Sequence, residues 1–160
     1  MRPAGALVLL AMLGGCSVAG PVTDPTPSFY QRLDQGAVLD PVAAAGMVNA
    51  WRVRNGLTSL TPDPVLAEEA RRRAASVAET DTAGWGETPV LAAQRAATGG
   101  LRLERVSAGY RTLAEAFSGW RDSPPHNAVM LAPSGRRIGI GAMHRPGTKY
   151  QVYWTVIVTD

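Results

Sequence analysis

Side chains able to act as nucleophiles, bases or metal ligands are scarce in this chain. Its 160 residues include one cysteine, Cys16, and two histidines, His126 and His144. A lone cysteine can be a buried apolar residue or a nucleophile, but Cys16 stands directly after an apolar run near the amino terminus, which argues against both. With no second cysteine there is no disulfide, so the fold must stand on its core alone. No serine lies in a Gly-x-Ser-x-Gly elbow, the strained turn that exposes a nucleophile. His144 sits beside the turn Pro146-Gly147-Thr148-Lys149 and reads as a surface residue.

The amino terminus reads as an address. Arg2 supplies a positive start, Ala6 to Met12 an apolar centre and Leu13-Gly14-Gly15 a small-residue exit, so residues 1–15 are expected to be a signal peptide. The apolar run is far shorter than the roughly 20 residues of a membrane-spanning helix. Leu13-Gly14-Gly15-Cys16 resembles the lipobox of bacterial lipoproteins, which implies diacylglycerol transfer to the Cys16 thiol, cleavage before it and acylation of the new amino group. Several acyl chains make such an anchor stable. An ordinary signal peptide with an incidental cysteine is the alternative. Ser17 follows the cysteine, whereas Asp there favours inner-membrane retention, so the expected location is the periplasmic face of the outer membrane in a cell that has one. Pro21, Pro25 and Pro27 stand among small polar residues, and residues 16–36 are expected to form the lipidated cysteine and a flexible linker.

The elements that could position chemistry lie in residues 37–160. Lys and Arg total 16 against 13 Asp and Glu, too small an excess to argue for nucleic acid. Asp40-Pro41 predicts a helix running to Asn55-Gly56, with Val42, Met47, Val48 and Trp51 on its apolar face. Thr61-Pro62-Asp63-Pro64 predicts a second helix start, running to about Glu79, on which Glu68 and Glu69 precede Arg71, Arg72 and Arg73 as a solvated charged face. Thr88-Pro89 caps a short helix, and Trp85 stands in a Gly-flanked loop. Leu101 to Val106 reads as a short strand, Thr112 to Trp120 as a helix ended by Ser123-Pro124-Pro125. Ile138, Ile140 and Ala142 alternate with glycines, and Tyr150 to Val158 is a β-branched and aromatic strand across a hairpin turn. Helices followed by a small antiparallel sheet indicate an α+β layered domain.

Five motifs in order resemble the CAP domain, also called SCP-like (cysteine-rich secretory, antigen 5, pathogenesis-related). They are Asn49-x-x-Arg52-x-x-x-Gly56-Leu57-x-x-Leu60; Asp63-x-x-Leu66 with its alanine-rich helix; Glu104-Arg105-Val106-Ser107-Ala108-Gly109; Trp120-x-x-Ser123-Pro124-x-His126-Asn127; and Arg137-Ile138-Gly139-Ile140-Gly141 with Tyr153-Trp154-Thr155. The resemblance covers about residues 42–158 and implies a three-layer α-β-α sandwich with a cleft. In many members two histidines and two acidic residues face each other there, and some bind a divalent metal. Glu104 and His126 match two of the four. The first histidine has no counterpart between Glu79 and Leu101, where Asp81, Thr82 and Glu87 stand instead. Asp122 is the acidic residue nearest the second carboxylate's place, and Arg105 replaces the usual asparagine, its guanidinium able to pair with Glu104.

A zinc site normally has at least three protein ligands, so Glu104 and His126 alone argue against one. A histidine and a glutamate in one cleft can serve as general base and acid. They can equally hydrogen-bond each other and pin the strand to the loop after Trp120. Ser107, Ser123, Asp122 and Trp85 are further candidates to line the cleft, while Trp51, Trp120 and Trp154 fit the core. Three functions remain open: an envelope module binding a lipid, glycan or peptide; a metal-dependent or His/Glu hydrolase; and an interaction protein with a vestigial cleft. The missing histidine favours the first and third. The chain is expected to be a monomer, tied to the membrane through Cys16.

Overall fold

The computed structural model describes residues 26–81 and 100–160. The signal segment, Cys16, most of the proline-rich stretch, Trp85, Glu87 and the Thr88-Pro89 helix start lie outside the described residues. Two 3-10 turns, Ser28–Tyr30 and Leu33–Gln35, lead into the domain. Leu33 is buried and its N–H donates to Arg111 O, so this part of the expected linker rests against the fold.

Helix α1 (Pro41–Arg54) begins as its sequence dictates. Asp40 Oδ1 accepts from the N–H groups of Val42 and Ala43 at 2.9 and 3.1 Å, and proline takes the first position, where no N–H is needed. The helix buries Ala44, Ala45, Val48 and Arg52, whereas Val42, expected on the apolar face, is exposed. Thr61–Pro62, expected to open a helix, instead forms strand β1, and α2 (Pro64–Thr80) starts from the Asp63 cap. Strand β2 spans Arg102–Ala108. Helix α3 (Leu113–Asp122) opens on a reciprocal cap between Thr112 and Glu115. Ser123-Pro124-Pro125 ends α3 and at once begins a short helix, α4 (Pro124–Met130), because prolines fit a first turn. Strands β3 (Arg137–His144) and β4 (Val152–Thr159) form the closing hairpin.

The sheet order is β1-β3-β4-β2. The expected antiparallel sheet is therefore mixed: β2, β4 and β3 are antiparallel, and β1 adds a parallel pair at the edge of β3, which periodicity over two residues could not show. β4 is buried at every residue because it is paired on both sides and covered on both faces. Val152, Trp154, Val156 and Val158 meet α1, α3 and α4, with Trp154 edge-on to Trp120 at 5.8 Å. Tyr153 and Ile157 meet α2 on the opposite face. The α2 layer lies close on β3 because Gly139 and Gly141 face it; a Cβ there would stand 2.2 Å from the Leu66 carbonyl carbon and 2.1 Å from Arg71 N. The result is the three-layer α-β-α sandwich.

Candidate functional site

Glu104 and Arg102, two apart on β2, share the face toward α2. Glu104 is buried, its Oε1 accepting from Arg73 Nε at 2.8 Å and its Oε2 lying 3.5 Å from Arg102 Nη2. Arg102 also pairs with Glu69 at 2.9 Å. Glu69 and Arg73, expected on a solvated face, thus turn inward, while Glu68 pairs with Arg71 and Arg72 in solvent. Arg105 points to the other face. Its Nη1 donates to the Glu104 backbone carbonyl at 3.0 Å, so it pairs with that residue's main chain rather than its carboxylate.

His126 stands on α4, in the opposite layer, and does not hydrogen-bond Glu104 as the pinning arrangement required. Its Nε2 lies 3.2 Å from the Val106 carbonyl and its Nδ1 2.9 Å from Ser123 Oγ. A carbonyl only accepts, so Nε2 carries the ring proton and Nδ1 accepts from the Ser123 hydroxyl. The ring does pin a strand, β2, but through its backbone, and to a helix rather than a loop. Burial pushes the His126 pKa below the ordinary imidazole value; the Arg105 charge acts the same way, against the Val106 hydrogen bond.

The remaining candidates separate. Ser107 Oγ accepts from Trp120 Nε1 at 2.8 Å and serves the α3 packing. Trp120 and Trp154 are core; Trp51 is half-buried, and its indole N–H donates to Asn127 Oδ1. His144 ends β3 half-buried. Asp81, near the missing histidine's place, takes a left-handed conformation after α2 and accepts from the Tyr153 hydroxyl and Lys149 N–H, contacts that hold its carboxyl below the usual range. Trp85 and Cys16 lie outside the described residues.

Among the described residues no three His, Cys, Asp or Glu side chains converge as metal ligands. The donor set does not fit zinc either: two guanidinium groups hold the Glu104 carboxylate, and both His126 nitrogens are engaged.

Asp122 belongs to a different feature. It is exposed, paired with Arg121, and lines an open groove of about 540 Å³ with Gly109, Tyr110, Arg111, Glu115, Ser118 and Gly119. The groove runs between the end of β2 and α3. Gly109 supplies the turn with φ +94°, and Gly119 lets the Tyr110 ring lie on the helix, where a Cβ would stand 2.1 Å from its hydroxyl oxygen. The volume is in the range of small-molecule sites. Sequence reasoning singled out only Asp122 of these for the cleft and met Gly109 only inside a motif, since neither glycine nor the tyrosine carries a pattern by itself. Arg102 was within its reach, because a charge two residues from Glu104 on a strand must share its face.

Comparisons with known proteins agree with this architecture. The model of the CAP family, described as the cysteine-rich secretory protein family, matches residues 45–158. An outer surface protein from Borrelia burgdorferi superposes with a TM-score of 0.59 at 19% identity, over 74% of this chain and 90% of that one. An extracellular protein containing an SCP domain from Bacillus anthracis gives 0.57 at 21% identity, over 74% of this chain and 39% of its own. A cysteine-rich secretory protein from Staphylococcus aureus gives 0.53 at 18%, over 81% and 40%. This chain thus spans about two fifths of the last two proteins and nearly the whole of the first. Comparison with curated proteins finds no match. With the family model covering both the helices and the closing hairpin, the chain belongs to the CAP, or cysteine-rich secretory protein, family.

Proposed function

We propose that this protein is a CAP-domain lipoprotein of the cell envelope, anchored through Cys16, that acts by binding a polar envelope ligand, a glycan or peptide, without turning it over. One observation carries the reading: the two family-matched residues are turned into the fold and held by structural partners, while the groove beside α3 carries Arg111, Glu115 and Asp122 on its exposed surface, where their ion pairs and cap bonds face solvent. Tyr110, Arg111, Glu115, Ser118 and Asp122 offer an aromatic ring with donors and acceptors, which suits sugar hydroxyls or peptide amides better than an acyl chain. An envelope location is consistent with structural neighbours that are an outer surface protein and an extracellular protein.

Hydrolysis has one observation in its favour, the hydrogen bond from Ser123 to His126, a hydroxyl beside a base. The next two residues are Pro124 and Pro125, which have no N–H to stabilise an oxyanion, so binding is the better reading. The test is titration of the full-length protein with soluble cell-wall glycan fragments and peptides. Saturable binding without turnover, weakened at least fivefold in Asp122→Ala with thermal stability unchanged, is expected. Turnover abolished by His126→Ala overturns the reading. Membrane anchoring is checked separately: Cys16→Ser is expected to lose lipid labelling and move to the soluble fraction.

A further inference from the structure

Helix α1 is apolar on its outer face as well as on its inner one. It carries no charged side chain from Pro41 to Trp51. Ala44, Ala45, Val48 and Arg52 enter the core, while Val42, Gly46, Ala50 and Val53, spaced as one stripe, are exposed. Val42 is 64% and Val53 61% accessible, and Val38, just ahead of the helix, is 86%. A helix on a water-facing surface normally turns polar residues outward, and a continuous exposed apolar strip marks a contact. α2, the outer helix of the opposite layer, shows the ordinary pattern, with Glu68, Arg71 and Arg72 paired in solvent. α2 does expose Val65 at its first turn, but its outer face is otherwise polar, so α1 differs in kind from the outer helix of the opposite layer.

The chain itself indicates what lies against the apolar stripe of α1. α1 is the first helix of the domain, and the described chain starts at Thr26, ten residues after Cys16. Ten residues span at most about 35 Å, so an anchor at Cys16 holds Thr26 within that distance of the bilayer, and the Ser28–Tyr30 turn that follows packs against α1 and α3. Exposed Asp40 caps the helix start, its carboxylate turned to the N–H groups of Val42 and Ala43; from Pro41 onward α1 exposes no acidic side chain and ends on exposed Arg54, which suits a surface with anionic headgroups. We propose that the outer face of α1, with Val38, Val42, Ala50 and Val53, rests on the lipid surface holding the anchor, leaving α2 turned away from it. This inference depends on the lipidation proposed above and adds an orientation to it.

The test uses the lipidated full-length protein in vesicles of phosphatidylethanolamine and phosphatidylglycerol. Because the natural cysteine is acylated, a polarity-sensitive fluorophore can be attached at Val42→Cys, Val53→Cys or Arg72→Cys. Blue-shifted emission and at least threefold weaker iodide quenching at 42 and 53 than at 72 are expected. A label at Ala50→Cys is expected to lose its shift when Val42→Asp and Val53→Asp are added, with the protein still floating with the vesicles. Equal quenching at the three sites in floating protein overturns the orientation and leaves the anchor standing. The same shielding in vesicle-free Cys16→Ser protein also overturns it, since another part of the chain or a second copy then covers the stripe. Protein that fails to float and takes label at Cys16 refutes the anchor, and the orientation falls with it.

Discussion

Glu104 keeps its charge out of water because Arg73 and Arg102 stand on either side of it, one from α2 and one from its own strand. Removing one partner of a buried pair leaves the other charge poorly compensated, which is costlier than the net value of the pair. Arg73 is partly exposed and Arg102 remains, so Arg73→Ala is expected to cost about 1–3 kcal/mol, below the roughly 3–5 kcal/mol of breaking a fully buried pair. In urea melts, Glu104→Gln in the same background should recover part of that loss; a further loss of similar size would show that the carboxylate has other support. His126 makes a second prediction. Its folded pKa lies below the ordinary value of 6.5, so the unfolded chain takes up the proton first as pH falls. The stability tied to neutral His126 is full above about pH 6.5 and is lost as pH falls from there toward its lower folded pKa. Melting temperatures of wild type and His126→Asn measured from pH 8 to 5 should converge as pH falls, and parallel curves would refute the assignment.

Helices and strands meet here through small residues. α2 presents Ala70 and Ala74 to β3, and Gly139 and Gly141 remove the atoms that would hold the two backbones apart. Gly141→Ala places a methyl against main chain that cannot rotate away, so a loss of about 3 kcal/mol or more is expected, at the severe end for overpacking. Gly46 has the opposite sign. A Cβ there meets nothing within 4 Å, and alanine is the better helix former, so Gly46→Ala should raise stability by about 0.5–1 kcal/mol. Urea midpoints of the two variants, moving in opposite directions, check both. The same elements show what the sequence could convey. Asp40-Pro41 and Asp63-Pro64 announce helix starts through local chemistry, the apolar spacing of Thr112 to Trp120 announces α3, and alternating glycine with isoleucine announces β3. β1 escaped because two residues have no period, and α4 because Pro124-Pro125 can end one helix and begin another. Glu104 and His126 were found by motif, but their partners are set by which layer each element joins, and that is decided by distant contacts.

At the scale of the molecule, the α1 and α4 elements are held by one buried charge. Arg52 is fully buried and among the described residues has no carboxylate partner; it donates to the carbonyls of Thr58, Met130 and Ala132 at 2.8, 2.7 and 3.0 Å. Two of those carbonyls belong to the end of α4, where helix geometry leaves acceptors unsatisfied. Its Nη2 has no partner, and desolvation lowers its pKa, so the group is retained for what its remaining N–H groups join rather than for its charge. Arg52→Met fills similar space but leaves the buried Met130 carbonyl without this donor, while Ala132 O keeps Gly135 N–H and exposed Thr58 can turn to water, a cost of about 1–3 kcal/mol by the usual penalty for a buried unsatisfied group. Arg52→Lys can serve fewer of these carbonyls and should fall between. β4, the last strand, is also the central one, paired with both β2 and β3, so neither half of the sheet is complete without the other. Loss at Arg52 should therefore lower the midpoint of a single transition rather than release α4 alone. Tryptophan fluorescence in a Trp51→Phe, Trp85→Phe background, where it reports the buried Trp120–Trp154 pair, and far-ultraviolet circular dichroism should give coincident curves with and without Arg52→Met. Curves that separate, with fluorescence changing at lower urea, would mean that α3 and α4 unfold as a unit of their own.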